Sequence, residues 1–110
     1  MDAAKKRRLN AGGWVVGNAK AFLGLSDEEA VFIELKLDLA RSVRRGRLKL
    51  QMTQTQLATR LESSQSRVAK VEAGDPTVSF DLLVRALLAV GMTRREIAKV
   101  IAGGTRRPSV

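Results

Sequence analysis

Strict alternation of apolar and polar residues is the clearest pattern in the first half of the chain. Residues 33–39 alternate in this way, and the pattern taken alone indicates a strand. Residues 34–41, however, contain no β-branched side chain, and all of them except Asp38 favour a helix. Ser26 and Glu29, just upstream, have the spacing of a capping box. We therefore predict a helix that begins at Ser26.

Four shorter helices are predicted after residue 50. Each has a hydroxyl side chain at its expected N-cap and apolar residues at helical spacing behind it. The expected N-caps are Thr53, Ser63 or Ser64, Ser79 and Thr93. No segment gives a convincing strand pattern. The predicted fold class is all-α, a compact five-helix domain with an N-terminal arm.

The first predicted helix has more apolar surface than one packing partner requires. Its polar side chains gather on a single stripe, and apolar side chains occupy most of the remaining circumference. The stripe consists of Glu34, Asp38, Arg41 and Arg45. Either the N-terminal arm covers the additional apolar face or that face contacts another subunit, and we favour the arm.

Composition argues against most enzyme classes. The 110 residues include no cysteine and no histidine, so the chain lacks thiolate nucleophiles, the usual near-neutral base and the commonest metal ligands. We therefore expect no enzymatic activity, no cofactor and no metal site. The formal net charge of +9 favours a polyanionic partner, with nucleic acid ahead of an anionic membrane.

The chain is expected to have three parts. These are a basic, partly irregular N-terminal arm (1–25), a helical domain (26–102) and a flexible tail (103–110). The arm contains a basic cluster that could enter the minor groove of DNA. This cluster is Lys5, Lys6, Arg7 and Arg8. No apolar run approaches the roughly 18 residues of a membrane span, so we expect a soluble protein without a membrane partner.

Two of the predicted helices follow each other almost without a connection. The first covers residues 54–61 and the second residues 64–73, so only Glu62 and Ser63 separate them. So short a turn makes the helices cross steeply and presents the second one on the surface. The sequence therefore predicts a helix-turn-helix motif over residues 53–74.

The second helix of this motif has an apolar side and a polar side. Val68 and Val71 are expected to face the core, whereas Ser66 and Lys70 point outward with Gln65 on the flank. A slim, polar and cationic helix face fits the major groove of B-DNA, where Gln pairs with adenine, Lys with guanine and Ser with either. Double-stranded DNA is the predicted partner.

Residues 53–74, TQTQLATRLESSQSRVAKVEAG, resemble the helix-turn-helix of phage repressor and Cro-type regulators, the XRE family. The resemblance covers roughly residues 37–102 and implies a repressor that binds a palindromic operator as a homodimer. Residues 22–29 and 79–83 further resemble the branch that contains HigA-like antitoxins. That branch implies a second partner, a toxin protein.

The resemblance also implies roles for individual residues. Gln65, Ser66 and Lys70 match base-reading positions, and Gln54 matches a glutamine that binds a backbone phosphate. Two further residues, Ser64 and Arg67, are expected to contact or flank the DNA backbone.

Residues 41–60 form a block rich in basic residues and without Asp or Glu. Such a block supplies candidate contacts to DNA phosphates. These candidates are Arg41, Arg44, Arg45, Arg47, Lys49 and Arg60. Arg47 also lies where the family usually has its first-helix arginine.

Three positions depart from the family pattern. Gln51 and Glu62 stand where the family often has glycine, so both are expected to adopt a positive φ. Gly46 stands where an apolar core residue is usual.

Some interpretations stay open at this level. On the last predicted helix Ile97, Val100 and Ile101 suit either the core or a dimer seam. A protein-interaction module without DNA readout and a basic amphipathic membrane binder are alternatives to the DNA-binding regulator.

Overall fold

The computed structural model describes residues 24–103 of the chain. It contains five α-helices and no strand. The helices are α1 (Asp27–Lys49), α2 (Gln54–Arg60), α3 (Gln65–Ala73), α4 (Phe80–Ala89) and α5 (Arg94–Ile101). The predicted all-α class is confirmed. The chain divides into two compact units between Glu34 and Leu35, and this boundary falls inside α1.

Hydroxyl side chains cap the helices where the sequence predicts them. Before α1, Ser26 Oγ accepts the backbone N–H of Glu29 at 3.1 Å, and Glu29 Oε1 accepts that of Ser26 at 2.8 Å. The N-caps of the other helices are Thr53, Ser64, Ser79 and Thr93. Each bond satisfies a backbone donor that the helix itself leaves without a partner.

The second unit is built around an apolar core to which all five helices contribute. α2 packs mainly on α3, and α4 packs on both α2 and α5. The largest fully buried side chains are Leu39, Leu57, Leu83, Leu87, Val43, Val68, Val71, Val78 and Val100. Each such side chain contributes about 1.5–3 kcal/mol by leaving water.

The predicted polar stripe of α1 is only partly exposed. Asp38 is buried, and its carboxylate accepts a hydrogen bond from Arg41 Nη1 at 3.0 Å. In the first unit, Val31 and Phe32 are about half exposed, at 53% and 48%. Residues 1–23 of the arm that we expected to cover this face lie outside the described residues.

Candidate nucleic-acid interface

A sharp turn joins α2 to α3. Leu61 is the C-cap of α2, and the backbone N–H of Ser63 donates to the carbonyl of Ala58 at 2.9 Å. Glu62 has a φ of 53°, in the left-handed region that the sequence predicts for it. This residue turns the chain, so that α3 starts only three residues later with Ser64 as its N-cap.

The two sides of α3 differ as predicted. Val68 and Val71 are completely buried, whereas Gln65, Ser66 and Lys70 are exposed. The N-cap hydroxyl of Ser64 accepts the backbone N–H of Arg67 at 3.1 Å, and this bond fixes the first turn of the helix. The polar side of α3 is therefore open to a ligand within the described part of the chain.

A hydrogen-bonded relay joins α2 to α3. Gln54 Nε2 donates to Glu72 Oε1 at 3.2 Å, and Gln65 Nε2 donates to Gln54 Oε1 at 2.6 Å. Because an ionised carboxylate only accepts, Glu72 takes the amide nitrogen of Gln54 and turns the amide oxygen toward Gln65.

This relay fixes what Gln65 offers to a ligand. With one Nε2 hydrogen given to Gln54, Gln65 retains its amide oxygen and a second amide hydrogen. An acceptor and a donor side by side complement the N6 donor and N7 acceptor of adenine. The glutamine at the start of α3 thus presents one acceptor and one donor to a ligand.

Arg47 anchors the inner end of the relay. Its Nε and Nη2 both donate to the carboxylate of Glu72, the latter at 3.0 Å, and its Nη1 donates to the Met52 carbonyl at 2.8 Å. The side chains of Arg47 and Glu72 are only 10% and 4% exposed. The hydrogen bonds that Arg47 donates to Glu72 raise the pKa of Arg47 above its ordinary value, so the guanidinium stays charged.

The structure corrects the prediction for Arg47. We expected a contact to a DNA phosphate, but its donors are used inside the protein and the residue is 8% exposed. Its role is to hold Glu72, which in turn orients Gln54. The sequence analysis did not single out Glu72. Its place four residues after the buried Val68, on the same face of α3, is the signal that it would be drawn inward.

Arg60 lies away from these residues. It ends α2, about 9 Å along the helix axis from Gln54, at a rise of about 1.5 Å per residue. There its Nη1 donates to the Ala89 carbonyl at the end of α4, at 3.0 Å. The structure therefore does not bring Arg60 together with the glutamine pair, and its proposed backbone contact finds no support in this geometry.

A shallow polar depression borders the outer side of α3. It is lined by Ser64, Ser66, Arg67, Lys70, Thr77 and Val78. Thr77 donates to Asp75 Oδ1 through its hydroxyl at 2.6 Å and its backbone N–H at 2.8 Å. These bonds, reinforced by the charge of Lys70, lower the pKa of Asp75 and keep it ionised. Thr77 lines this depression, and the sequence analysis did not include it among the site residues.

The residues expected at a dimer seam fall into two groups. Ile97 and Val100 are 7% and 1% exposed and belong to the core of the second unit, so they are not available to a partner subunit. Ile101 is 42% exposed. For the first two residues the structure favours the core over the seam, because helix α5 turns that side toward its own chain.

The arm residues Lys5, Lys6, Arg7 and Arg8 lie outside the described residues, as does the tail beyond residue 103. Their predicted roles stay predictions.

Fold and site together define a helix-turn-helix protein, since two short helices meet at a tight turn and the second exposes a polar side. The chain belongs to the helix-turn-helix domain family, whose model matches residues 38–109. This match indicates a DNA-binding regulator. No curated protein and no solved structure matches the chain. Among the described helices, none has the length and apolar character needed to cross a membrane.

Proposed function

We propose that the protein is a transcriptional repressor of the phage repressor and Cro type that binds a specific double-stranded DNA sequence. The observation that carries this proposal is the relay from Glu72 through Gln54 to Gln65. It preorganises an exposed amide on the helix that enters the major groove in this class of protein. An amide held in this way loses little rotational freedom when it binds a base.

Base readout is assigned to the exposed side of α3. Gln65 reads adenine, while Ser66 and Lys70 contact neighbouring base edges. Gln54, Ser64 and Arg67 lie around the N-terminal ends of α2 and α3, where backbone amides favour phosphate. Repression then requires only occupancy of a promoter, with no reaction, cofactor or metal. A protein acting in this way would reside on DNA in the cytoplasm.

The proposed binding unit is a homodimer. Two copies of α3 related by a two-fold axis would enter successive major grooves about 34 Å apart and read an inverted repeat. Ile101 is a candidate seam residue because it is an exposed apolar side chain on the last helix.

Selection of bound sequences from random duplexes, followed by titration of variants, tests the proposal. We expect an inverted repeat, and we expect Gln65→Ala to lose about 1–3 kcal/mol of discrimination at one base of each half-site. Lys70→Ala should relax preference at another position.

Gln56→Ala is the matched control. Gln56 is also an exposed glutamine of the motif, but its side chain closes the capping box with Thr53. This variant should keep the selected sequence. The proposal fails if Gln65→Ala and Lys70→Ala both keep it too. Absence of duplex binding at low salt would favour an interaction module without DNA readout.

An antitoxin role is the second candidate. The first unit exposes Val31 and Phe32 next to three consecutive acidic residues, Asp27 to Glu29. An apolar and acidic surface suits a basic protein partner such as a toxin. Co-purification with the product of a neighbouring gene would support this role. A homodimer with full operator affinity and no companion protein would count against it.

A further inference from the structure

Three arginines project from the outer face of α1 in the second unit. We call Arg41, Arg44 and Arg45 the α1 ridge, and all three are exposed. The opposite side of the helix is buried through Leu39 and Val43. The ridge is therefore a surface feature that takes no part in the core.

The ridge is poorly neutralised. Arg41 pairs with Asp38 at 3.0 Å, but its side chain remains 56% exposed. Arg44 and Arg45 have no ion pair in the described part of the chain, and no acidic residue lies three or four positions from either of them. Like charges at these helical spacings destabilise a helix. This positive charge therefore carries a folding cost without an internal benefit.

The position of the ridge relative to the relay follows from the helix geometry. Arg47 marks the side of α1 that faces α3, and at about 100° per residue the ridge is rotated from it by about 60° to 160°. Nine steps along the chain separate Arg45 from Gln54, and four of them are helical, so these two residues lie within about 25 Å of each other. This distance is shorter than one turn of a duplex, about 34 Å.

We infer that the α1 ridge binds backbone phosphates of the DNA that flanks the half-site held by α3. The inference rests on the proposed function. Guanidinium groups are planar and bind phosphate oxygens in pairs, which makes arginine the most suitable side chain for such contacts. Duplex already bound at α3 would present its flank at a high local concentration, so the ridge contacts would pay little additional association entropy. An acidic protein segment lacks that advantage.

Titration of the full-length protein with two duplexes tests the inference. Both carry the selected site, one with flanks of a base pair or two and one with long flanks on each side. On the long duplex, the double variant Arg44→Gln with Arg45→Gln should reduce the slope of log K against log salt by about 1.8, which corresponds to a roughly 60-fold loss of affinity at 0.1 M salt. On the short duplex, wild type and variant should bind alike.

Arg94→Gln with Arg95→Gln is the matched control, because it removes the same charge from two exposed arginines of α5. On either duplex, this control should change the slope of log K against log salt by less than the ridge variant changes it on the long duplex. The inference is wrong if the ridge variant weakens binding to both duplexes equally or weakens binding to neither. It is also wrong if the control variant loses affinity in the same way as the ridge variant. Unchanged affinity on both lengths would point to an acidic protein as the occupant. Failure of the proposed function would appear separately, as an unaltered sequence preference in Gln65→Ala.

Discussion

Two residues adopt a backbone conformation that side chains disfavour. Gln51, just after α1, and Glu62, between α2 and α3, have φ values of 56° and 53°. A residue with a Cβ in this region costs about 1–2 kcal/mol relative to its usual conformations. The turns on both sides of α2 therefore store strain that the rest of the fold must offset.

Replacing either residue by glycine should stabilise the protein. The relief of left-handed strain exceeds the extra backbone entropy of glycine, so we expect Gln51→Gly and Glu62→Gly each to raise the free energy of unfolding by up to about 1 kcal/mol. Urea denaturation measures the change. Ala98→Gly, at an exposed position within α5, should instead cost about 1 kcal/mol. Destabilisation by all three variants would show that the two turns are not strained.

The buried ion pair between Arg47 and Glu72 is a second feature at the scale of residues that affects stability. Arg47→Met leaves a buried carboxylate without its partner, and we expect a loss of about 3–5 kcal/mol in unfolding free energy. Arg45→Met, on the exposed ridge, should stay within about 0.5 kcal/mol of wild type. Equal unfolding free energies of these two variants would show that the ion pair of Arg47 with Glu72 does not stabilise the fold.

Adding Glu72→Leu to Arg47→Met should recover most of that stability, because no charge is then left buried alone. The same double variant should lose base discrimination at the Gln65 position, since nothing orients the Gln54 amide. Recovered stability with intact discrimination would mean that Glu72 does not position the relay.

At the scale of elements, Gly46 sets how closely α1 approaches the end of α4. A Cβ at this position would lie 2.6 Å from Val90 Cγ2, closer than two carbon atoms tolerate. This contact explains why glycine replaces the apolar residue that the family usually has here. The helices meet at the backbone of α1.

A double-mutant cycle tests this packing. Gly46→Ala should destabilise the wild-type protein by about 1–3 kcal/mol through overpacking. In a Val90→Ala background the same change should be neutral or stabilising by up to about 1 kcal/mol, because alanine is the better helix former. Equal effects in the two backgrounds would place the clash elsewhere.

At the scale of the whole molecule, the exposed apolar residues decide where a second copy can bind. Since Ile97 and Val100 serve the core, Ile101 is the member of the expected seam that remains accessible. Leu48 on α1 is similarly exposed, at 51% against 42%, and provides a comparison on another element.

Ile101→Asp should weaken the proposed homodimer, because a charge would enter the apolar contact that we propose for this residue. We expect the dissociation constant to rise at least about 10-fold, a change of about 1.4 kcal/mol, by sedimentation equilibrium. Leu48→Asp should leave it unchanged. If Leu48→Asp dissociates the dimer and Ile101→Asp does not, the subunits meet through α1.

Local signals in the amino-acid sequence were sufficient for the helices and for their N-caps. Capping at Ser26, Thr53 and Thr93 involves partners three residues away, and the buried positions of α3 follow from helical periodicity. The positive φ of Gln51 and Glu62 was predictable from the family's preference for glycine. Interactions of this kind are complete within one or two helical turns, so the order of residues is enough to determine them.

The relay became visible only in three dimensions. Arg47 and Glu72 are 25 residues apart, and Gln54 and Gln65 are 11 apart. The pattern of charges along the chain placed Arg47 among the predicted phosphate contacts. The sequence shows that an arginine is present, but it does not show which carboxylate pairs with it. In the same way, periodicity placed Ile97 and Ile101 on one apolar helix but did not show that Ile97 is buried and Ile101 is exposed. Burial and pairing depend on which elements pack together, and that is a property of the tertiary structure.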